Sequence, residues 1–254
     1  FAVDKASEIV SESTGLDITA GRLDLRFPLD LLVRDVKAVE PTTRDTLLSL
    51  ERLKVELRFW KLLKKEVEIE EISIRNATFD TRDFIDGVVV SGHLGELFLE
   101  SHGVVFSPET ARINEFSVKN TDVSLTLGSI ESTDTVPSEP LYWKILLDEI
   151  DFENVGFALK MPQDSLFVRT MLPKTTLKNG VIDLKEASYY VKSFGIDNAE
   201  LAYGPKEELF LQQIGLQLDS IYYCGKDIRA NIEEFVLKER SGLELVSTEG
   251  RIVS

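Results

Sequence analysis

The sequence predicts an all-β chain, and three observations carry the prediction. Apolar and polar residues alternate over most of the 254 residues, the period of strands with one buried face. The alternation slips phase at recurring places, yet apolar residues return to the same side each time. Helical periodicity is confined to residues 1–14, where Ala2, Val3, Ala6, Ile9 and Val10 share a side, and to about 60–66.

The phase slips define a repeat. In Ile69-Glu70-Glu71-Ile72-Ser73-Ile74-Arg75-Asn76-Ala77-Thr78-Phe79 the phase slips between Ile69 and Ile72, and again between Ile74 and Ala77. The pattern recurs from Ile113 through Asn120 to Val123, Leu125 and Leu127, and from Leu147 through Asn154 to Val155, Phe157, Leu159 and Met161. A further copy runs from Val191 through Asn198 to Ala199, Leu201 and Tyr203. Looser copies surround Asn179 and Asp35, so five of the seven asparagines hold one position in the pattern. A strand that slips phase while keeping its apolar side inward inserts a residue, as a bulge or corner does. Asparagine tolerates the left-handed backbone that such an insertion needs. Asn120, Asn154 and Asn198 are therefore expected at equivalent left-handed corners.

Taken in order, residues 1–14 read as a lead-in helix, followed by strands over Leu16–Phe27, Leu29–Val39 and Leu53–Phe59. Pro28 and Pro41–Asp45 separate these strands. Residues 84–128 read as short strands broken at Gly87, Gly92, Gly103 and Pro108, and 129–140, rich in Ser, Thr, Pro and Glu, as a mobile surface loop. That loop divides a section over 15–128 from a continuing one over 141–254, with turns expected at Asn179-Gly180, Gly204-Pro205 and Cys224-Gly225. Residues 227–240 could form a helix, but Ile232-Glu233-Glu234-Phe235 copies the opening phase slip and reads as strand. With helices nearly absent, the apolar face must curl on itself as a sandwich, barrel or β-helix, or hold something apolar.

Composition narrows the partners. A net charge of −15, with no basic tract beyond Lys61-Leu62-Leu63-Lys64-Lys65, argues against nucleic acid, since a binding face would have to overcome phosphate repulsion. The single cysteine, Cys224, allows no disulfide framework. No run reaches the roughly 18 apolar residues of a membrane span. A start at Phe1 and a strand-like end at Arg251-Ile252-Val253-Ser254 read as a piece of something longer.

Catalytic signals are weak. His93 and His102 lie nine apart, an odd separation that puts them on opposite faces of a straight strand and disfavours a shared metal despite Glu96 and Glu100 nearby. No nucleophile elbow, Walker loop or dinucleotide fingerprint is present. Cys224 after Tyr222-Tyr223 reads as a packed thiol. Asn76-Ala77-Thr78 is a formal glycosylation sequon, though the repeat already explains the asparagine. The expectation is a non-enzyme without cofactor or metal.

The segment Ile18–Phe27 (Ile-Thr-Ala-Gly-Arg-Leu-Asp-Leu-Arg-Phe), the strand pair through Leu47–Leu57, the short helix Trp60–Lys65 and the run Val67–Phe79 together resemble the N-terminal region of the AsmA/TamB family. The likeness is best over about residues 14–80 and rests on apolar pattern, so it carries over no catalytic residue. It implies an elongated, taco-like β-groove in the periplasm of diderm bacteria, anchored in the inner membrane by a helix preceding residues 1–14. It also implies phospholipid or another acyl-chain ligand as cargo and an outer-membrane assembly partner. The residues expected to line such a groove are Ile72, Ile74, Phe79, Phe116, Val118, Val123, Leu125, Leu127, Ile150, Phe152, Val155, Phe157, Leu159, Met161, Phe194, Ile196, Leu201 and Tyr203. The competing expectation is a closed β-sandwich or β-helix, a scaffold for adhesion or glycan binding in which the same residues form a dry core.

Overall fold

The computed structural model of the chain describes residues 11, 14–27, 30–62, 68–82, 87–106, 109–128, 142–225 and 227–253. Where apolar and polar residues alternate, the backbone pairs into one thirteen-stranded, curved and unclosed sheet. Its first half comprises β1 (Asp17–Arg26), β2 (Asp30–Val39), β3 (Thr46–Leu57), β4 (Ile69–Asp80), β5 (Val88–Phe106) and β6 (Glu109–Leu127). Its second half comprises β7 (Lys144–Met161), β8 (Leu166–Asp183), β9 (Ser188–Tyr203), β10 (Leu209–Cys224) and β11 (Asp227–Glu239), then β12 (Glu244–Ser247) and β13 (Gly250–Val253). Spatial order follows chain order, and neighbours run antiparallel except β6 and β7, which pair in parallel. The sheet is continuous through that junction. β12 and β13 lie end to end on the same edge of β11. One short helix, α1 (Phe59–Leu62), interrupts the strands between β3 and β4.

Several expectations fall outside the described residues: nearly all of 1–14 (Ser11 and Thr14 are helical), the remainder of the helix near 60–66, the turn at Pro28 and the loop over 129–140. The strand reading of 227–240 holds, with a bulge at Glu233 where the phase slips. Two expectations need correction. Gly92 and Gly103 do not break a strand but lie within the nineteen residues of β5. At Gly92 an added Cβ would lie 2.1 Å from the Asp122 carbonyl, so the glycine marks a close backbone approach. Asn179-Gly180 is not a chain reversal either, for β8 runs through it.

The bend is made at two lines of corners. Asp35, Asn76, Asn120, Asn154 and Asn198 all have left-handed φ, between 50° and 54°. The registers place them on one line that crosses the sheet with Glu51, Gly95 and Pro173 between them. Across each antiparallel pair the left-handed residue faces one of ordinary conformation; across the parallel pair Asn120 and Asn154 face each other, with Asn154 Nδ2 donating to Asn120 Oδ1 at 3.3 Å. A second line passes through Asn114, Asp148, Asn179, Lys192 and Ser220, of which Asn179 and Ser220 have φ of 54° and 58°. Asn179 therefore shares the left-handed conformation of the other four asparagines but belongs to a different corner.

The direction of the bend follows from the side chains. At the first line two successive residues face outward, as in Arg75-Asn76, Lys119-Asn120 and Glu153-Asn154, while the residues on either side (Ile74 and Ala77, Val118 and Thr121, Phe152 and Val155) face inward. The outer path is thus the longer one, and the sheet curls with its apolar face inside. Residues just past the corner are small where space is tightest: Ala77, Thr121 and Ala199 are 5 %, 5 % and 2 % exposed, while the asparagines before them are exposed. The sheet does not close into a sandwich or barrel, which removes the dry-core alternative.

Asn154→Val should lower stability by roughly 1–2 kcal/mol, because a β-branched residue is strained at φ 53°. Asn154→Gly should fall within about 0.5 kcal/mol of the parent, since glycine meets no such strain. Urea unfolding curves distinguish the two, and equal losses for both substitutions would refute the corner geometry.

Candidate functional site, an open apolar face

The inward face is apolar across the whole sheet because the cross-strand partners of apolar residues are themselves apolar. Between the two corner lines Ile72 pairs with Leu99 and Ile74 with Leu97, Leu99 with Phe116 and Leu97 with Val118, and Phe116 with Ile150 and Val118 with Phe152. The row continues through Leu177 and Thr175 to Phe194 and Ile196, and then to Leu218 and Leu216. Beyond the first line Val123, Leu125, Phe157, Leu159, Leu201 and Tyr203 extend the same face along a second segment, with Phe79, Leu127, Val155 and Met161 on it too. All eighteen residues expected to line a groove therefore lie on one side of one sheet.

Burial shows how that side is finished. Of the eighteen, only Val118 is buried, at 8 % exposure; Phe157 and Tyr203 are exposed, at 37 % and 49 %, and the rest are half-buried. Neighbours in the same face supply the cover that exists, as where the Phe116 and Phe152 rings meet edge to face at 6.2 Å. The eighteen expected residues include none from β5 or β8, which lie between their strands in the sheet. Leu94, Leu97 and Leu99 of β5 show the same slip around Gly95, where an added Cβ would lie 2.6 Å from the Asn120 carbonyl. Without an asparagine to mark it, the slip went unread. In β8 the corner carries Pro173, and a proline inside a central strand was itself the available signal for a bulge.

The outward face is ionic. Arg75 and Glu96 pair across β4–β5 at 3.3 Å, Lys119 and Glu153 across β6–β7 at 3.5 Å, and Lys178 and Glu149 across β7–β8 at 2.9 Å. The hydrogen bond to Glu149 holds the Lys178 ammonium above its usual pKa range. Burial acts to lower the Lys54 value, but the hydrogen bonds it donates to Glu56 and Glu71 outweigh it and raise the group.

Both histidines also face outward, contrary to the straight-strand expectation, because β5 turns its corner at Gly95 between them. His93 sits beside Thr78, and His102 Nδ1 lies 2.6 Å from Asn114 Oδ1. No group of three or more His, Cys, Asp or Glu side chains placed to hold a metal ion occurs among the described residues. Cys224 is half-buried at the end of β10, and its proximity raises the pKa of the Tyr222 hydroxyl. Asn76 of the sequon donates to Glu51 across the corner. Comparison with protein-family models and with curated proteins finds no match.

The apolar face contains one flaw that can be measured. Thr121 donates its hydroxyl to the Lys119 carbonyl at 3.0 Å, whereas the buried Thr175 hydroxyl, in a residue 6 % exposed, has no partner among the described residues. Thr175→Val removes an unsatisfied polar group at nearly constant shape and should stabilise the protein by about 1 kcal/mol. Thr121→Val should not. Calorimetric melting of the two variants checks this, and a destabilised Thr175→Val protein would contradict it.

Proposed function

We propose that the chain is a non-catalytic groove section that holds phospholipid acyl chains along its apolar inner face. The observation that carries this reading is an apolar face continuous from β1 to β11, of whose eighteen expected lining residues only one is buried. Large contiguous apolar surface left open on a folded protein marks a ligand or partner. Hydrocarbon is the chemistry that matches a face with almost no polar atoms, and each methylene laid on it gains up to about 0.8 kcal/mol. The resemblance of residues 14–80 to the AsmA/TamB family supports a place in the periplasm, an inner-membrane anchor ahead of residue 1, and a role in moving phospholipid toward the outer membrane or assisting an outer-membrane assembly partner. The ionic outer face suits an aqueous compartment.

Native mass spectrometry of the purified protein should show co-purifying phospholipid. Phe157→Asp places a charge on the face at a side chain already 37 % exposed. The carboxylate can reach water from there, so melting should stay within a few degrees of the parent while bound lipid is lost. Val118→Asp, at a residue 8 % exposed, buries the charge instead and should lower stability by about 3 kcal/mol or more. A Phe157→Asp protein that still carries as much phospholipid as the parent would count against the groove.

A further inference from the structure

On the outward face, the row beside the first corner line alternates in sign from β4 to β9, through Arg75, Glu96, Lys119, Glu153, Lys174 and Asp197, but not before it. Just ahead of the first corner line, Arg22, Arg34, Arg52 and Arg75 stand directly opposite one another on β1 to β4. Strands about 4.8 Å apart make this a row of like charges, an arrangement that costs stability. The chain as a whole carries −15 and has carboxylates to spare for neutralising such a row. The two ends of the row are neutralised: Arg22 pairs with Asp24 at 2.8 Å, and Arg75 with Glu96 at 3.3 Å. The middle is not. Arg34 and Arg52 are half-buried, form no ion pair among the described residues, and each keeps a buried Nε donor with no acceptor. Both line a cleft of about 340 Å³ on the outer face, with the buried Leu32 beside them. Its walls carry Arg26, Lys54 and Arg75 as further cations, against Asp30, Glu71 and Glu96.

We propose that this cleft is a binding site for a phosphoryl oxyanion, gripped between the guanidinium groups of Arg34 and Arg52. Guanidinium groups on adjacent strands each carry several N–H donors, which suits a tetrahedral anion with several acceptor oxygens. Such a ligand accepts from the guanidinium groups that line the cleft and relieves the repulsion along the row. Half-burial strengthens the attraction beyond that of a surface ion pair. The source of the phosphoryl group is either a small soluble phosphate or a lipid headgroup presented at a membrane surface. The site lies on the face opposite the acyl-chain groove, so it stands or falls independently of the function proposed above.

The test titrates the full chain with inorganic phosphate at constant ionic strength, following melting temperature and the 31P line width. Saturable stabilisation and line broadening are expected for the parent, with no matching effect from glutarate. Arg52→Gln and the Arg34→Gln/Arg52→Gln pair should lose at least about tenfold in affinity (~1.4 kcal/mol), yet melt no lower than the parent in phosphate-free buffer, because repulsion is relieved. Co-sedimentation with phosphatidylcholine vesicles containing one fifth phosphatidylglycerol separates the sources: pelleting that depends on Arg52 assigns a headgroup, and phosphate binding without pelleting assigns a soluble ligand. Absence of any phosphate effect on the parent, equal stabilisation by glutarate, or retained affinity in the double variant would overturn the proposal. The 31P measurement on the parent decides the matter even if a variant fails to fold.

Discussion

The structure depends on one backbone constraint, the insertion of a residue that lets a strand bend without turning its apolar side outward. A pleated strand has period two, so any odd displacement along it exchanges the faces. At each corner two successive residues face outward, and the apolar series resumes in phase on the inside. Asparagine and aspartate occupy the left-handed position because their short polar side chains tolerate it. Their side chains also bond across the line, as Asn154 does to Asn120 and as Gln213 does to Asn198 at 2.9 Å. Because the corners align across nearly every strand, the bend is a property of the sheet rather than of single strands. The apolar face lies inside as a consequence.

The parallel pairing of β6 with β7 tests this logic within the molecule. In the antiparallel pairs a left-handed residue meets an ordinary one, Asn76 against Gly95 or Asn154 against Pro173. Reversing the relative strand direction makes the two partners equivalent, and both Asn120 and Asn154 are left-handed. On the second line the same pair presents Asn114 and Asp148, neither of them left-handed. The rule is therefore one of strand direction, and residue type follows it. Gly95 illustrates the reverse dependence: the ordinary partner must be small where the Asn120 carbonyl approaches within 2.6 Å of a Cβ position.

These corners were legible in the sequence wherever an asparagine marked them, since the phase slip and the side chain point to the same backbone. Asn120, Asn154 and Asn198 were placed correctly for that reason, and the eighteen inward residues followed from their phase. What the sequence hid was pairing. Asn179 carries the same local signal as Asn154 but lies on the second line, and only register distinguishes the two. Gly92 reads as a break because glycine disfavours a strand locally, but it is demanded by Asp122, thirty positions away, as Gly95 is by Asn120, twenty-five positions away. The arginine row was likewise invisible. Its members lie on four different strands, and nothing in their local sequence brings them together.

An unclosed sheet in which each strand packs only on its neighbours gains its stability pair by pair, much as repeat proteins do. Such a fold does not require its apolar face to be covered in order to hold together. The hydrogen-bonded ladders and the outward ion pairs provide cohesion that a sandwich would draw from a dry core. The face is therefore free to be completed by something that comes and goes. On the proposed reading, stability and cargo are linked: any ligand that covers the face adds RT ln(1 + [L]/Kd) to the folded state. A fully loaded groove is then the more stable form, and release has to be driven by a partner that offers the acyl chain an equal or better apolar surface. Half-buried side chains such as Phe152 and Ile196 suit that requirement better than deeply buried ones. They gain part of their cover from neighbours and part from cargo, so each site holds hydrocarbon weakly, and a chain can pass from strand to strand without crossing a deep minimum.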